Sequence, residues 1–242
     1  MTGRLLYVCA RPQREAAVAE WASFRDGLGV AGDELVHHDL VREPLPAHLE
    51  SYAGVVVGGS PFNVTDPDKT DVQLRLERDL EALASTALDG RTRAMFTCFG
   101  IGVVTRMLGG VVTLDHPEGT GPTDIALTAQ GADDELFGIL NPRFEALTAH
   151  KEGTADVPPG ATLLARNDAC PVQAYRAGAS LWATQFHPEP TADAFVARMA
   201  VYRAAGYFDA DAFDEVAALV RTVSVEQPTL LLRTFAARAL AA

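Results

Sequence analysis

The sequence predicts an α/β fold: a mostly parallel central sheet, extended by mixed or antiparallel strands, with helices on both faces. Three features predict it. Over the first hundred residues, short and almost wholly apolar runs alternate with helical patterns. Strands buried on both faces and joined by crossover helices read this way. From 111 to 186 the chain changes to short strand-like runs separated by turn residues, and after Pro190 it returns to helical patterns.

The elements follow in order. Leu5–Cys9 is an apolar run of strand length, and residues 12–28 form a helix whose apolar stripe is Ala16, Val18, Ala19, Trp21, Ala22 and Phe24. Residues 35–40 and Gly54–Val57 are the next strands, the latter ending in Gly58-Gly59. Asp71–Leu88 is strongly amphipathic, and its acidic start suits the positive end of a helix. A strand over 93–97 leads into a helix over 100–108, stopped by Gly109-Gly110. Strand candidates follow at 111–114, 125–128, 144–149, 161–167, 172–176 and 180–184, among turn residues such as Gly119, Gly121, Pro158-Pro159-Gly160 and Gly178. Three helices close the chain, at 192–205, 210–223 and 229–242.

At 242 residues one domain is expected, spanning 1–242 with a helical C-terminal extension from about 206. No repeat, low-complexity stretch or linker divides it. The 32 acidic and 20 basic side chains give a formal charge of −12. Such a chain is a poor general binder of nucleic acid, whose nonspecific affinity comes from basic side chains neutralising phosphates. Cys9, Cys98 and Cys170 are too few and too scattered for a disulfide framework, which fits a reducing, cytoplasmic compartment. No run approaches the roughly 20 apolar residues that span a bilayer, and the N-terminal apolar run is short for a signal peptide.

Three segments carry chemistry. In Met95-Phe96-Thr97-Cys98-Phe99-Gly100-Ile101-Gly102 an apolar strand runs into Cys98 and a helix begins at once. A nucleophile on such a turn stands exposed above the sheet, and a helix N-terminus favours a reactive thiolate. Taken alone, a strand-end cysteine is more often a small packed residue. Thr184-Gln185-Phe186-His187-Pro188-Glu189 places a histidine just past a strand, with a carboxylate two residues on. His187 could act as general base oriented by Glu189; the pair could equally cap the following helix. Gly58-Gly59, after a buried strand, could aim backbone N–H groups at an oxyanion or form an ordinary turn.

Together the three segments resemble the class I glutamine amidotransferases, a Cys–His–Glu group with a flavodoxin-like three-layer fold. Cys98 and Gly100 match the family's Gly-x-Cys-x-Gly turn. His187, Pro188 and Glu189, preceded by Gln185 and Phe186, match its His-Pro-Glu motif. Gly58 and Gly59 match its oxyanion loop. Order and separation agree over about residues 1–200, and the segment 158–175 looks most like stand-alone members related to the amidotransferase domain of GMP synthase. The resemblance implies that Cys98 attacks the side-chain amide of glutamine, that His187 moves the proton from thiol to departing ammonia, and that Glu189 orients His187. It also implies that the N–H groups of Gly59 and Phe99, in loops set by Gly58 and Gly100, hold the oxyanion, with His150 and Gln185 near the pocket. No cofactor is implied.

Some positions depart from the family pattern. Phe96 replaces a glycine, Ile101-Gly102 replaces His-Gln, and His150-Lys151-Glu152 replaces His-Gly-Asp. The triad is kept while part of the substrate pocket changes, so a γ-glutamyl compound or another amide is an alternative substrate. A γ-glutamyl peptidase on the same scaffold and a silent regulatory module are the alternative functions. No Gly-x-x-x-x-Gly-Lys-Ser/Thr loop occurs, so amination would need a synthetase partner chain. The terminal helices could serve that contact, form a homodimer seam, or simply cover the sheet. His37-His38 beside Asp39 lack a second cluster with ligand spacing, so no metal site is expected. Asp66, Asp68 and Asp71 fit a solvated turn around Pro67.

Overall fold

The computed structural model describes residues 3–241. Its first half alternates β1 (Leu5–Cys9), α1 (Arg14–Leu28), β2 (Leu35–Asp39), β3 (Gly54–Val57), α2 (Asp71–Leu88), β4 (Ala94–Thr97) and α3 (Phe99–Met107). Then come β5 (Val112–Thr113), β6 (Glu118–Leu127), α4 (Ala129–Ala132), β7 (Arg143–His150), β8 (Gly153–Thr154), β9 (Ala161–Arg166), β10 (Ala174–Ala177) and β11 (Leu181–Thr184). Three helices follow: α5 (Ala192–Val201), α6 (Phe213–Val220) and α7 (Glu226–Leu240).

A nine-stranded sheet has the order β2-β1-β3-β4-β11-β10-β9-β6-β7. From β2 to β11 every neighbour pair is parallel; from β11 to β7 every pair is antiparallel. The mixed extension is therefore the antiparallel half, and the flavodoxin-like order 2-1-3-4 with a fifth parallel strand is present. In the parallel half alternate side chains enter cores on opposite faces. Leu5, Tyr7 and Met95 join Phe24, Leu231 and Phe235 from α1 and α7. Leu6, Val8 and Phe96 join Leu76, Leu80 and Val104 from α2 and α3. Both faces are covered, which is why these strands read as unbroken apolar runs.

Several expectations need correction. The buried face of α1 is the row Ala16, Glu20, Phe24 and Leu28 with Ser23 and Gly27, whereas Val18 is 60% exposed. A charged residue thus lies in the helix's buried row because it has partners there. β6 begins at Glu118, seven residues before the expected strand, since Gly119, Gly121 and a register shift between Glu118 and Gly121 break its period. Gly153–Thr154 pairs with β5 in a two-stranded sheet that the sequence pattern did not show. α5 ends at Val201, and Gly206 turns the chain in a left-handed conformation (φ 74°). α7 starts at Glu226, because Pro228 lies in the first turn, where the missing N–H costs the helix nothing. That helix covers the sheet: Leu231, Leu232, Phe235, Ala236 and Ala239 are buried in the core facing α1.

Candidate active site

The loops that leave the C-terminal ends of β1, β3, β4 and β11 meet on one edge of the sheet, where open parallel sheets form their crevices. After β4 the chain turns at Cys98 with φ 51° and ψ −104°, the one non-glycine residue of positive φ among those described. Its N–H donates to the carbonyl of Thr184 at 2.8 Å, tying the turn to β11. α3 begins at the next residue, and Gly100 lets it approach β4: a Cβ there would lie 3.0 Å from the Phe96 side chain. Phe99 and Gly100 open the helix, so their N–H groups have no intrahelical partner.

After β11, His187 is held by its backbone, which donates to Leu147 on β7 at 2.9 Å. Nδ1 of His187 lies 3.0 Å from Oε1 of Glu189. The carboxylate can only accept, so Nδ1 carries the hydrogen and Nε2 is left for Cys98. Arg198 on α5 donates from Nη1 to the same oxygen at 2.7 Å. Burial alone would lower the basicity of His187, but attraction to Glu189 and to Cys98 outweighs it and raises the imidazole to about 9. Burial likewise opposes ionisation of Glu189, yet His187 and Arg198 hold its carboxyl well below the usual range.

Glu20 ties the loops together. Its Oε2 accepts from the Tyr7 hydroxyl at 2.8 Å. Its Oε1 accepts from Arg11 Nε at 2.8 Å, Arg198 Nη1 at 3.1 Å and the Gly59 N–H at 3.2 Å. The Gly59 N–H, expected to face an oxyanion, is thus engaged by Glu20, and the Gly58 N–H donates to Val8 at 3.0 Å. Glycine is required at both positions. A Cβ on Gly58 would collide with the Glu20 carboxylate, and one on Gly59 would lie 2.9 Å from His187 Cε1.

Cys98 lines two cavities. The first is walled by His187, Arg11, Arg198, Met199, Tyr202 and Phe208. The second is walled by Asn63, Phe99, Gly102, His150, Glu152 and Gln185. The structure therefore brings together Cys98, His187, Glu189, Gly58, Gly59, Phe99, Gly100, His150 and Gln185. Of the departures, Phe96 and Ile101 are buried in the core beneath α3 and line neither cavity. Gly102 does reach the second cavity, and its missing side chain leaves room for Glu152, whose Oε1 would lie 3.2 Å from a Cβ there. Glu152 accepts from the N–H groups of Val64 and Thr65 and from the Thr65 hydroxyl, and burial raises its carboxyl above the ordinary range.

The sequence reading missed Glu20, Arg11 and Arg198. A single charged residue in the otherwise small or apolar row 16-20-24-28 was the available signal. Among the described residues two groups place ligand-type atoms within 4.8 Å of one another: Glu118, His150 and Cys170, and Glu20, His187 and Glu189. Hydrogen bonds already link His150 to Glu118 at 2.8 Å and His187 to Glu189 at 3.0 Å. His37 stacks edge-on against Trp21 and joins neither group.

Residues 34–200 match the family described as glutamine amidotransferase class-I. The chain belongs to the class I glutamine amidotransferase family. Among curated relatives, the glutamine-hydrolysing GMP synthase of Thermomicrobium roseum is 31% identical over 156 residues, covering 64% of this chain and 26% of the relative. That of Porphyromonas gingivalis (strain W83) is 27% identical over 146 residues, covering 60% and 26%. The chain thus spans about a quarter of the length of these relatives. A solved glutamine amidotransferase from Thermotoga maritima shares the fold over the whole of both chains, at 18% identity and a TM-score of 0.78. One from Methylobacillus flagellatus shares the fold with a TM-score of 0.69 at 17% identity, covering 100% of this chain and 95% of that one. No described helix is long and apolar enough to cross a membrane.

Proposed function

We propose that the chain hydrolyses the side-chain amide of glutamine, or of a related γ-glutamyl compound, through a thioester on Cys98. The observation that carries this is that Cys98, on its strained turn, lines one cavity with His187, whose ring is bonded to the buried Glu189. The sulfur, its proton passed to His187, attacks the amide carbon. Negative charge grows on the carbonyl oxygen, and the Phe99 N–H at the start of α3 is free to receive it. The Gly59 N–H would join it after leaving Glu20. The C–N bond then breaks, and the nitrogen takes the proton held by His187. Water, deprotonated by His187, hydrolyses the thioester and releases the glutamate half. Glu189 is a positioning residue: it fixes the tautomer of His187 and stabilises the imidazolium. Arg198 holds Glu189.

The family and the GMP synthase relatives support glutamine as the starting point for assay. Ammonia, where it is the product, would be consumed by a synthetase chain that binds the same edge of the sheet. The test is release of glutamate and ammonia from L-glutamine by the purified chain, beside Cys98→Ala. Loss of release in the variant assigns the nucleophile. Release that persists in the variant overturns the proposal.

A further inference from the structure

We propose that the cavity on the His187 side of Cys98 is a subsite for a carboxylate carried by the amine half of the substrate. The preferred substrate would then be a γ-glutamyl amino acid, meaning a γ-glutamyl amide whose nitrogen bears a short chain ending in a carboxylate. This rests on the Cys98 hydrolase proposed above and adds to it the identity of the leaving group.

Position supplies the first argument. The departing nitrogen must lie against the group that gives it a proton. His187 lines the first cavity and not the second, whereas Gly102, His150, Glu152 and Gln185 line the second. Whatever the amide nitrogen carries therefore extends into the first cavity. Free glutamine carries only hydrogens there and would make no contact with the arginine side of this cavity.

Donors supply the second. Arg198 is 5% exposed and lines this cavity, yet its Nη2 has no hydrogen-bond partner among the described residues. Arg11, 6% exposed, uses Nε on Glu20 and Nη1 on the Tyr202 hydroxyl, which brings its Nη2 within 2.8 Å of where a Gly59 Cβ would stand. Two buried guanidinium groups thus flank a space beside the nucleophile, and guanidinium N–H groups match carboxylate oxygens in geometry and charge. The buried carboxylates of Glu20 and Glu189 balance Arg11 and Arg198, so the subsite would act through directed guanidinium N–H groups rather than through net charge. Much of the remaining wall, including Ala149, Phe195, Met199 and Phe208, is apolar, with Ser60 and Thr120 adding two hydroxyls, and it suits a short apolar spacer between nitrogen and carboxylate. The reaction balances without a co-reactant. The C–N bond breaks, the amine leaves with a proton from His187, and water converts the thioester to glutamate and free thiol.

The experiment compares kcat/KM for L-glutamine, γ-L-glutamyl-ethylamide and γ-L-glutamyl-glycine in the intact chain and in Arg11→Gln. The ratio of the glycine to the ethylamide derivative within one preparation is insensitive to partial misfolding. A buried charge-assisted hydrogen bond predicts that the glycine derivative exceeds the ethylamide by about tenfold or more, and that Arg11→Gln brings the ratio towards one. Equal rates for the two derivatives in the intact chain overturn the subsite. So does a preference that Arg11→Gln leaves unchanged, or an equal fall for both substrates. The underlying hydrolase fails separately: no substrate is cleaved and an electrophilic glutamine analogue does not label Cys98, which removes the subsite with it.

Discussion

At Glu20 one carboxylate takes hydrogen bonds from a tyrosine, two arginines and the Gly59 amide. Removing one partner of such a buried set leaves charges uncompensated. Glu20→Ala is expected to lower stability by about 3–5 kcal/mol, read as a fall in the urea midpoint at unchanged slope. An effect below 1 kcal/mol would mean that the guanidinium groups find other partners. The neighbouring pair gives a pH prediction. His187 is raised to about 9, so in the proposed role of acid for the leaving nitrogen it would act below that value and be lost above it. The kcat/KM profile should therefore fall as pH rises through about 9. Because Glu189 is the main attraction raising His187, Glu189→Gln should move that limb to lower pH. A limb that stays in place would detach it from His187. The same shift bears on folding. A histidine with a raised folded-state pKa adds stability that is complete below its ordinary value of about 6.5 and is lost as pH rises through about 9.

Among the elements, α1 and α7 show how little a helix's buried face follows from composition alone. Trp21 and Val18 looked like core, yet Val18 is exposed and Glu20 is buried. The neighbours decide: α1 turns towards β1, α5 and α7 the row that meets Tyr7, Arg198 and Leu232. Val18→Lys should change stability by less than about 0.5 kcal/mol, whereas Phe24→Ala should cost about 3–5 kcal/mol. Equal effects in chemical denaturation would reverse the assignment of faces. α7 makes the same point at the C-terminus, where the available readings ran from partner contact to sheet cover. Its apolar residues fill the core with α1, so Phe235→Ala should also cost about 3–5 kcal/mol.

Across the molecule, the sheet order brings β3, β4 and β11 side by side and so assembles one edge from three distant loops. The segment between α5 and α6 roofs that edge. The Tyr207 hydroxyl donates to Pro61 at 3.3 Å, and Lys151 donates to Ala205 at 2.7 Å while its ammonium lies 4.7 Å from the Tyr207 ring. Beneath it Cys98 is 8% exposed. Tyr207→Ala should open this cover and speed alkylation of Cys98 by iodoacetamide, measured by mass spectrometry; an unchanged rate would show that the roof does not limit access.

The parallel half and the local motifs around Cys98 and around His187 and Glu189 were legible in the sequence because each depends on near neighbours. Buried strands need uninterrupted apolar runs, the Cys98 turn needs small residues at fixed spacing, and His187 and Glu189 are two residues apart. The first seven residues of β6 were hidden because a glycine-rich, bulged strand has no period to read. The contacts of Glu20 with Arg198, 178 residues away, and with Gly59, 39 away, leave no local trace. Tertiary structure alone decided that the Gly59 N–H is occupied, that Phe96 and Ile101 lie in the core, and that two arginines line a cavity with Cys98. Local chemistry is written in spacing, whereas the burial of a charge depends on partners that only the folded chain brings within hydrogen-bond range.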